Sequence, residues 1–272
     1  MGKLPARGQE GCDHYKAPMH GSTPAFECIK ELQQECYKVG IPLLTRHREV
    51  APNQYEVAPK FGTVVTQPDQ NLVVMQILDE VAKKHGLYAN LIEKPFAGVN
   101  GSGKHNNWSI STKEGAQLLN PGDLMKKTGK PELFPICMAA IVAGLDTFGD
   151  LMRLAIASPG NDFRLGAMEA PPAVMSTYLG KQMTDYLLAF ADGKMEEYQP
   201  KTFPVNLGAA ELPIIDVPAE DRNRTSPFPY GGYRFEFRAV GSSQNVSLVN
   251  TVLNALSAWG FIQIADKVEE GE

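Results

Sequence analysis

The sequence contains few cysteines, no long uninterrupted hydrophobic run and no basic block. Its four cysteines form no CxxC pair and lie apart from any histidine cluster, which argues against a disulfide framework or a thiolate zinc site and favours a reducing, cytoplasmic compartment. The N-terminus lacks the apolar core of a signal peptide, and the most apolar stretch, Ile136 to Leu145, ends at Asp146, so no membrane span is expected. With 26 basic and 31 acidic residues and a net charge of −5, nucleic acid is not an expected partner.

What the chain does contain is an ordinary globular composition, with 43% hydrophobic and 21% charged residues among 272. Residues 1–22 show no periodicity and are predicted to form an extended arm or a truncated lead-in. From residue 23 to 272, neighbouring strand-like runs and helical runs predict the α+β class rather than regular βαβ alternation. Helices are predicted over about 23–39, 68–85, 133–157, 177–191 and 246–267, and strands on both sides of the Pro52-Asn53 turn and over 87–93, 105–111 and 233–238.

A glycine-rich turn, Gly98 to Lys104, satisfies the GxxxxGK part of a phosphate-binding loop. That motif requires a Ser or Thr directly after the lysine and a helix beginning there, whereas this chain has His105 followed by a strand-like run. A plain glycine hairpin would also explain the turn. An imidazole fixed beside a glycine turn is better suited to bind a metal ion than to complete a nucleotide loop, so His105 is a candidate metal ligand.

Two carboxylates, Glu49 and Glu56, lie in the segment HREVAPNQYE on either side of a predicted turn. On paired strands they can converge on one cation, because a hard divalent ion prefers several oxygen ligands. The alternative is that both are solvated turn charges. His47 shares the strand face of Glu49 but is interpreted as an ordinary histidine.

Two further segments combine charges that could serve chemistry. On the predicted strand at 233–238, Arg234, Glu236 and Arg238 alternate with aromatics, as a solvated edge face would, or as a metal-binding carboxylate flanked by anion-binding arginines would. Nearby, DRNRTSP adds two more arginines in a turn-prone stretch. Residues 161–172, NDFRLGAMEAPP, are predicted to form a loop with one Arg and one Glu, or a plain surface connection.

In this order the segments resemble glutamine synthetase, most closely its long type III branch. EVAPNQYE is similar to the family's twin-glutamate segment, NGSGKHNNWS to its NGSG-x-H loop, RLGAMEAPP to its glutamate flap, and NRTSP with RFEFR to its phosphate and metal strands. The resemblance implies a curved antiparallel sheet packed by helices. It also implies a large homo-oligomeric ring with active sites between neighbouring subunits.

The resemblance further implies ATP- and metal-dependent ligation of ammonia to the γ-carboxylate of glutamate through γ-glutamyl phosphate, a reaction of glutamine biosynthesis and nitrogen metabolism. Its residue roles carry over position by position. Glu49 and Glu56 would bind one Mg²⁺ or Mn²⁺, and His105 and Glu236 the second. The residues for ATP and the transferring phosphate would be Ser109, Arg224, Arg234 and Arg238, those for glutamate Asn100, Gly101 and Arg164, and Glu169 would close over the site and help deprotonate ammonium.

Some positions depart from the family pattern. Asn107 stands where the common pattern has a second imidazole, and Pro229 where shorter members have another arginine. Nothing before Glu49 is similar to the glutamate pair that family members carry after an N-terminal β-grasp domain, and the resemblance to type III implies a chain that continues beyond position 272; on this comparison we expect residues 23–272 to be a partial catalytic domain, without the β-grasp domain and the C-terminal extension. We therefore expect the chain alone to form little or no glutamine. A glutamate–amine ligase of the same family and a non-catalytic fragment or scaffold that keeps the fold stay open as alternatives.

Overall fold

The computed structural model describes residues 24–51, 53–206, 208, 213–218, 223 and 225–271, so the predicted arm at 1–22 lies outside the described residues. The chain forms two compact units. The first comprises the chain up to Lys104 with Ile156–Ala170 and Val240–Asn250, and the second comprises His105–Ala155, Pro171–Ala239 and Thr251–Glu272. The elements are α1 (Pro24–Lys38), β1 (Leu43–Arg48), β2 (Tyr55–Pro59), α2 (Thr66–Lys84), β3 (Gly103–Trp108), α3 (Pro121–Thr128), α4 (Leu133–Ala155), α5 (Pro159–Arg164), β4 (Thr177–Tyr178), α6 (Gly180–Ala191), β5 (Thr202–Val205), β6 (Ile215–Pro218), β7 (Phe228–Pro229), β8 (Phe235–Gly241) and α7 (Ser247–Glu270).

The α+β class is confirmed, and the described strands pair two by two, as β1–β2, β3–β8, β4–β7 and β5–β6. The first and last of these pairs are antiparallel, whereas β4 and β7 are parallel. The resemblance implied one curved antiparallel sheet, and among the described residues the strands are short and form separate pairs. Prolines such as Pro204 and Pro229 lie inside strands and lack the N–H that would extend a hydrogen-bonded ladder.

The first unit contains the predicted helix, hairpin and helix in sequence. The buried face of α1 carries Leu32 and Cys36, which form a core with Leu43 of β1. Helix α2 starts at Thr66, two residues before the prediction, and the chain leaves it through Gly86 at φ +66°, a left-handed turn that glycine adopts without strain. Strands β1 and β2 pair antiparallel across the predicted turn, so the hairpin is confirmed.

The strand predicted over 87–93 is wrong, because this segment belongs to no strand and bends at Glu93. Its backbone acceptors are used by loops instead. The Leu91 carbonyl accepts a bond from the Ser242 hydroxyl, and the Glu93 carbonyl accepts one from the backbone N–H of Ser102. Because these carbonyls are already hydrogen-bonded, the segment does not pair with another strand in spite of its β-prone composition.

Other boundaries also differ from the predictions, among them the end of α4 at Ala155, β8 at Phe235–Gly241 and α7 at Ser247–Glu270. The segment at 161–172 begins inside the short helix α5, whose start is capped by the Ser158 hydroxyl accepting from the Asn161 N–H. Helix α6 starts at Gly180 rather than 177, because Thr177 and Tyr178 pair with β7. The predicted strand at 105–111 is β3, which covers Gly103–Trp108.

Helices α4 and α7 pack backbone to backbone within the second unit. A Cβ on Gly144 would overlap the Leu256 carbonyl oxygen, and a Cβ on Gly260 would overlap the Ala140 carbonyl oxygen. Both helices are long and apolar enough to cross a membrane by length and composition alone. The core helix of a globular protein can meet the same criterion; here 44% of the apolar window of α4 and 33% of that of α7 are buried within the chain. The expected absence of a membrane span stays a prediction.

The glycine contact predicts a stability difference between two Gly→Ala substitutions. Gly260→Ala should lower the free energy of unfolding by about 2 kcal/mol, because the new methyl group forces the two helix backbones apart. The matched control is Gly149→Ala in α4, where the nearest atom to the new Cβ is the Met175 Cβ at 3.4 Å. We expect that variant to be unchanged or stabilised by up to about 1 kcal/mol. Urea denaturation followed by circular dichroism measures both, and equal effects would contradict the contact.

Candidate metal and substrate-binding sites

In the first unit, one imidazole and two carboxylates converge at the β1–β2 hairpin. His47 on β1 is the register partner of Glu56 on β2, and Glu49 follows β1, with its N–H bonded to the Gln54 carbonyl at 2.9 Å. The His47 Nε2 lies 2.6 Å from Glu49 Oε1 and 3.8 Å from Glu56 Oε2. One ligand atom from each residue lies within 4.8 Å of the other two, so the group could hold a metal ion.

The hairpin therefore brings Glu49 and Glu56 together, as the sequence predicted, and adds a residue that the sequence analysis set aside. The His47 side chain is only 11% exposed. The signal was present in the sequence, because His47 and Glu49 are two residues apart on a strand and share its face.

In the second unit, the carboxylate of Glu236 lies between a histidine and an arginine. Its Oε1 is 3.3 Å from His105 Nδ1 on β3, and its Oε2 is 3.1 Å from Nη1 of Arg238. All seven residues of β8 are buried, including Glu236 and Arg238, so this is not the solvated edge face that the alternating charges also allowed. Burial of an anion is costly without partners, and here both carboxylate oxygens have one.

Beside this cluster, Arg234 is held by the residue that departs from the family pattern. Its Nε donates to Asn107 Oδ1 at 2.6 Å, and its guanidinium carbon lies 4.7 Å from the centre of the Tyr233 ring. A hydrogen bond and a cation–π contact together fix the plane of the guanidinium. Ser109, two residues further along, is exposed. The predicted Arg224 lies outside the described residues.

The glycine loop is not a nucleotide loop of the GxxxxGK type. Strand β3 runs through Gly103–Trp108, where that motif would need the first turn of a helix. The Lys104 ammonium donates to the backbone carbonyls of Ser242, at 2.6 Å, and of Gln244. Burial lowers the pKa of Lys104 to about 8, with the nearby Glu93 acting in the opposite direction. The lysine therefore fastens the loop to its own unit rather than presenting its charge to a ligand.

Buried Glu93 is a feature of this loop that sequence reasoning missed. It is 3% exposed and accepts hydrogen bonds from the Ser243 hydroxyl and, at 3.1 Å, from the Ser243 N–H. Its carboxylate occupies space that Cβ atoms on Gly160 and Gly241 would fill. Nothing in the motif EKPFAG signals such a contact, because it depends on residues about 150 positions away.

The predicted glutamate-binding residues lie together in the first unit. Arg164, at the end of α5, is 4% exposed, and its Nη1 lies 3.2 Å from Asn161 Oδ1 and 3.3 Å from the Val240 carbonyl. The guanidinium occupies the space where Gly103 would carry a Cβ. Asn100 is buried, and Gly101 passes so close to the Glu93 carbonyl that a side chain there would collide. The spacing of these glycines thus follows from close packing around Glu93 and Arg164.

Glu169 differs from these residues in being exposed. Its backbone has φ +55°, in the left-handed region that a residue with a side chain adopts at a cost of about 1–2 kcal/mol. Residues held in such a conformation occur often in functional loops. The carboxylate of Glu169 therefore stands at a strained turn on the surface of the first unit, five positions after buried Arg164.

Comparison with known proteins identifies the family. The sequence profile of the family described as "Glutamine synthetase, catalytic domain" matches residues 10–146, just over half of the chain. The chain is 46% identical over 258 residues to a protein named "Type-3 glutamine synthetase" from Dictyostelium discoideum and 42% identical over 262 residues to a glutamine synthetase from Bacteroides fragilis. Both matches cover 95% of this chain but only 34% and 35% of the relatives, so the chain spans about a third of their length.

Solved structures support the same fold. The chain superposes on a structure titled "Apo GmaS without ligand" with a TM-score of 0.65 and 21% identity, covering 96% of this chain and 49% of that one. A cryo-EM structure of Plasmodium falciparum glutamine synthetase gives a TM-score of 0.58 at 14% identity, covering 87% of this chain and 38% of that one. The chain belongs to the glutamine synthetase family, resembles its type III branch, and carries residues of the family's catalytic domain.

Proposed function

We propose that this chain supplies catalytic residues for the ATP-dependent ligation of ammonia to the γ-carboxylate of glutamate. The observation that carries the proposal is that each unit pairs imidazole with carboxylate. His47, Glu49 and Glu56 meet in the first unit, and His105 and Glu236 meet in the second. Such mixed donors fit Mg²⁺ or Mn²⁺, and a divalent cation at these ligands would supply positive charge to phosphate oxygens.

In the second unit, two arginines are positioned to bind an anion. Arg234 is oriented by Asn107 and Tyr233, and Arg238 is locked against Glu236. Guanidinium groups fixed before a ligand arrives stabilise the charge that develops on a transferring phosphoryl group without further reorganisation. We assign Arg234 and Ser109 to ATP, and Arg238 to the transferring phosphate.

In the first unit, Asn100, Gly101 and Arg164 are assigned to glutamate. The Nη1 of Arg164 donates to Asn161 Oδ1, so the orientation of its guanidinium is already fixed. Glu169, exposed at a strained turn, can accept a proton from ammonium and can close over the site. Closure would exclude water, which would otherwise hydrolyse the γ-glutamyl phosphate formed from glutamate and ATP.

The proposal includes a cytoplasmic homo-oligomer in the form of a ring. Several large apolar side chains of the described residues are strongly exposed, among them Phe61 at 90%, Tyr88 at 79% and Val65 at 71%. An assembly that covers them would remove apolar surface from water.

The metal assignment is tested by substituting two adjacent residues of the loop, one at a time. His105→Ala should weaken Mn²⁺ binding about tenfold or more, because it removes a nitrogen donor beside Glu236. Lys104→Met should leave Mn²⁺ affinity within about threefold, since that ammonium is used by backbone carbonyls. Isothermal titration with Mn²⁺ measures both, with thermal unfolding as a check on folding. The reverse order of effects would contradict the proposal and favour a nucleotide loop.

The nucleotide assignment predicts that Asn107 acts through Arg234. Asn107→Ala should weaken ADP binding several-fold, because Arg234 loses the acceptor that fixes its orientation. In a double-mutant cycle, Arg234→Ala with Asn107→Ala should be no weaker than Arg234→Ala alone. Titration of ADP in the presence of Mg²⁺ provides the four affinities. Additive losses would show that Asn107 does not act through the arginine.

A further inference from the structure

Glu93 is a buried carboxylate to which the proposed function gives no role. It lies just before the glycine loop and is 3% exposed. Burying a carboxylate is costly unless hydrogen bonds replace its water. Here the bonds come from Ser243, 150 positions along the chain, whose hydroxyl and N–H both donate to Oε1, the N–H at 3.1 Å. The side chain of Glu93 therefore joins two segments of the first unit that are far apart in sequence.

Three segments of the first unit meet at this one residue. The Glu93 carbonyl accepts from the N–H of Ser102 at 2.7 Å and lies against Gly101 in the glycine loop. Its Oε1 lies against Gly241, the last residue of β8, and its Oε2 lies against Gly160 of α5. Each of these glycines lacks the Cβ that would displace Glu93. One residue thus contacts the loop, the helix and the end of the strand.

Two of these three segments carry the residues assigned to glutamate. Asn100 and Gly101 belong to the loop, at the point where the Glu93 carbonyl contacts it. Arg164 lies one helical turn after Gly160 in α5, and its Nη1 is 3.3 Å from the Val240 carbonyl, next to Gly241. The position of Glu93 therefore sets how far the loop stands from the arginine.

The two lysines beside the loop restrain it in other ways. The Lys94 ammonium donates to the Val99 carbonyl, which closes the loop on itself. The Lys104 ammonium donates to the Ser242 carbonyl at 2.6 Å, which fastens the far end of the loop to the segment after β8. The contact with Gly160 of α5 comes from Glu93. Spacing between loop and helix is thus a separate task from restraint of the loop itself.

The chemistry of the two segments explains why their spacing matters. An amide or backbone oxygen, such as Asn100 and Gly101 offer, accepts from an ammonium group, whereas Arg164 donates to a carboxylate. A ligand that carries both groups contacts both segments only when they stand at the right distance. We propose that Glu93 is a positioning residue, which holds the loop of Asn100 and Gly101 at the distance from Arg164 that an amino dicarboxylate requires. This inference rests on the proposed function, which assigns those three residues to glutamate.

The test compares L-glutamate with glutarate, which has the two carboxylates and no ammonium. Glu93→Asp withdraws the carboxylate by one methylene, so it no longer reaches both Ser243 and Gly160. We expect L-glutamate binding to weaken about tenfold, the loss of one charge-assisted hydrogen bond, and glutarate binding to weaken less than about threefold. Glu93→Gln keeps the length and one acceptor oxygen, and should stay within about threefold of the unaltered chain for both ligands. Saturation-transfer titrations by NMR measure all these affinities.

Two further variants separate positioning from stability. Val81→Ala removes packing from the core between α1 and α2, away from the loop, and should leave the ratio of the two affinities unchanged although the chain is less stable. Ser243→Ala removes only the hydroxyl bond to Glu93 and should lower the ratio of L-glutamate to glutarate affinity about threefold. It provides the test if Glu93→Asp does not fold, which thermal unfolding shows.

Equal losses for the two ligands, or a ratio unchanged in Glu93→Asp and Ser243→Ala, would overturn the inference. Arg164→Gln distinguishes that failure from failure of the proposed function. If L-glutamate binding depends on Arg164 while the ratio does not depend on Glu93, only the inference fails. If the unaltered chain does not bind L-glutamate, or binds it as well with Arg164→Gln, the assignment of the glutamate site fails and the inference fails with it.

Discussion

The second unit's site depends on the interaction of the buried Glu236 carboxylate with its two charged or polar neighbours. A carboxylate that is 7% exposed on a fully buried strand must have charged or hydrogen-bonding partners, and it has them on both sides in Arg238 and His105. The strand that carries it is fixed by aromatic packing, with Phe228 stacked on Phe235 at 4.4 Å and edge-on to Phe237 at 5.9 Å. The alternation of aromatic and charged residues thus builds core and site from one strand.

In the first unit, the site is fixed by close packing against glycines, whereas aromatic packing fixes the strand of the second unit's site. The loop of the first unit packs two buried charged groups, Glu93 and Arg164, against backbone that carries no Cβ. The Lys104 ammonium, in the same unit, ties that loop to the carbonyls of Ser242 and Gln244. Because each group is held by residues far apart in sequence, the loop geometry is a property of the folded unit rather than of the motif.

The sequence predicted those elements whose periodicity and end signals agree. Helix α1 and the hairpin were predicted correctly, and so was α4, because apolar spacing and turn residues mark them. Helix α3 was not predicted, although Asn120 caps its start, Pro121 occupies its first turn and Gly129 ends it at φ +68°. Eight residues are too few to show a clear helical spacing of apolar residues. The residues that cap both ends would have predicted the helix.

The failures have a common physical cause, which is competition from distant partners. The run at 87–93 has strand composition, but its carbonyls are taken by Ser102 and Ser242. On β8, the alternation left a solvated face open as one alternative, and the structure excludes it because Glu236 and Arg238 are buried and bonded to each other. At the hairpin, the motif indicated Glu49 and Glu56, and the strand register places His47 beside them.

The most direct test of the account is to locate the cation in a crystal of this protein grown with Mn²⁺ and ADP. The account predicts an anomalous scattering peak within coordination distance of His105 Nδ1 and Glu236 Oε1, and another at Glu49 and Glu56. Peaks confined to other carboxylates, with His105 Nδ1 still 3.3 Å from Glu236 Oε1 as it is here, would contradict it.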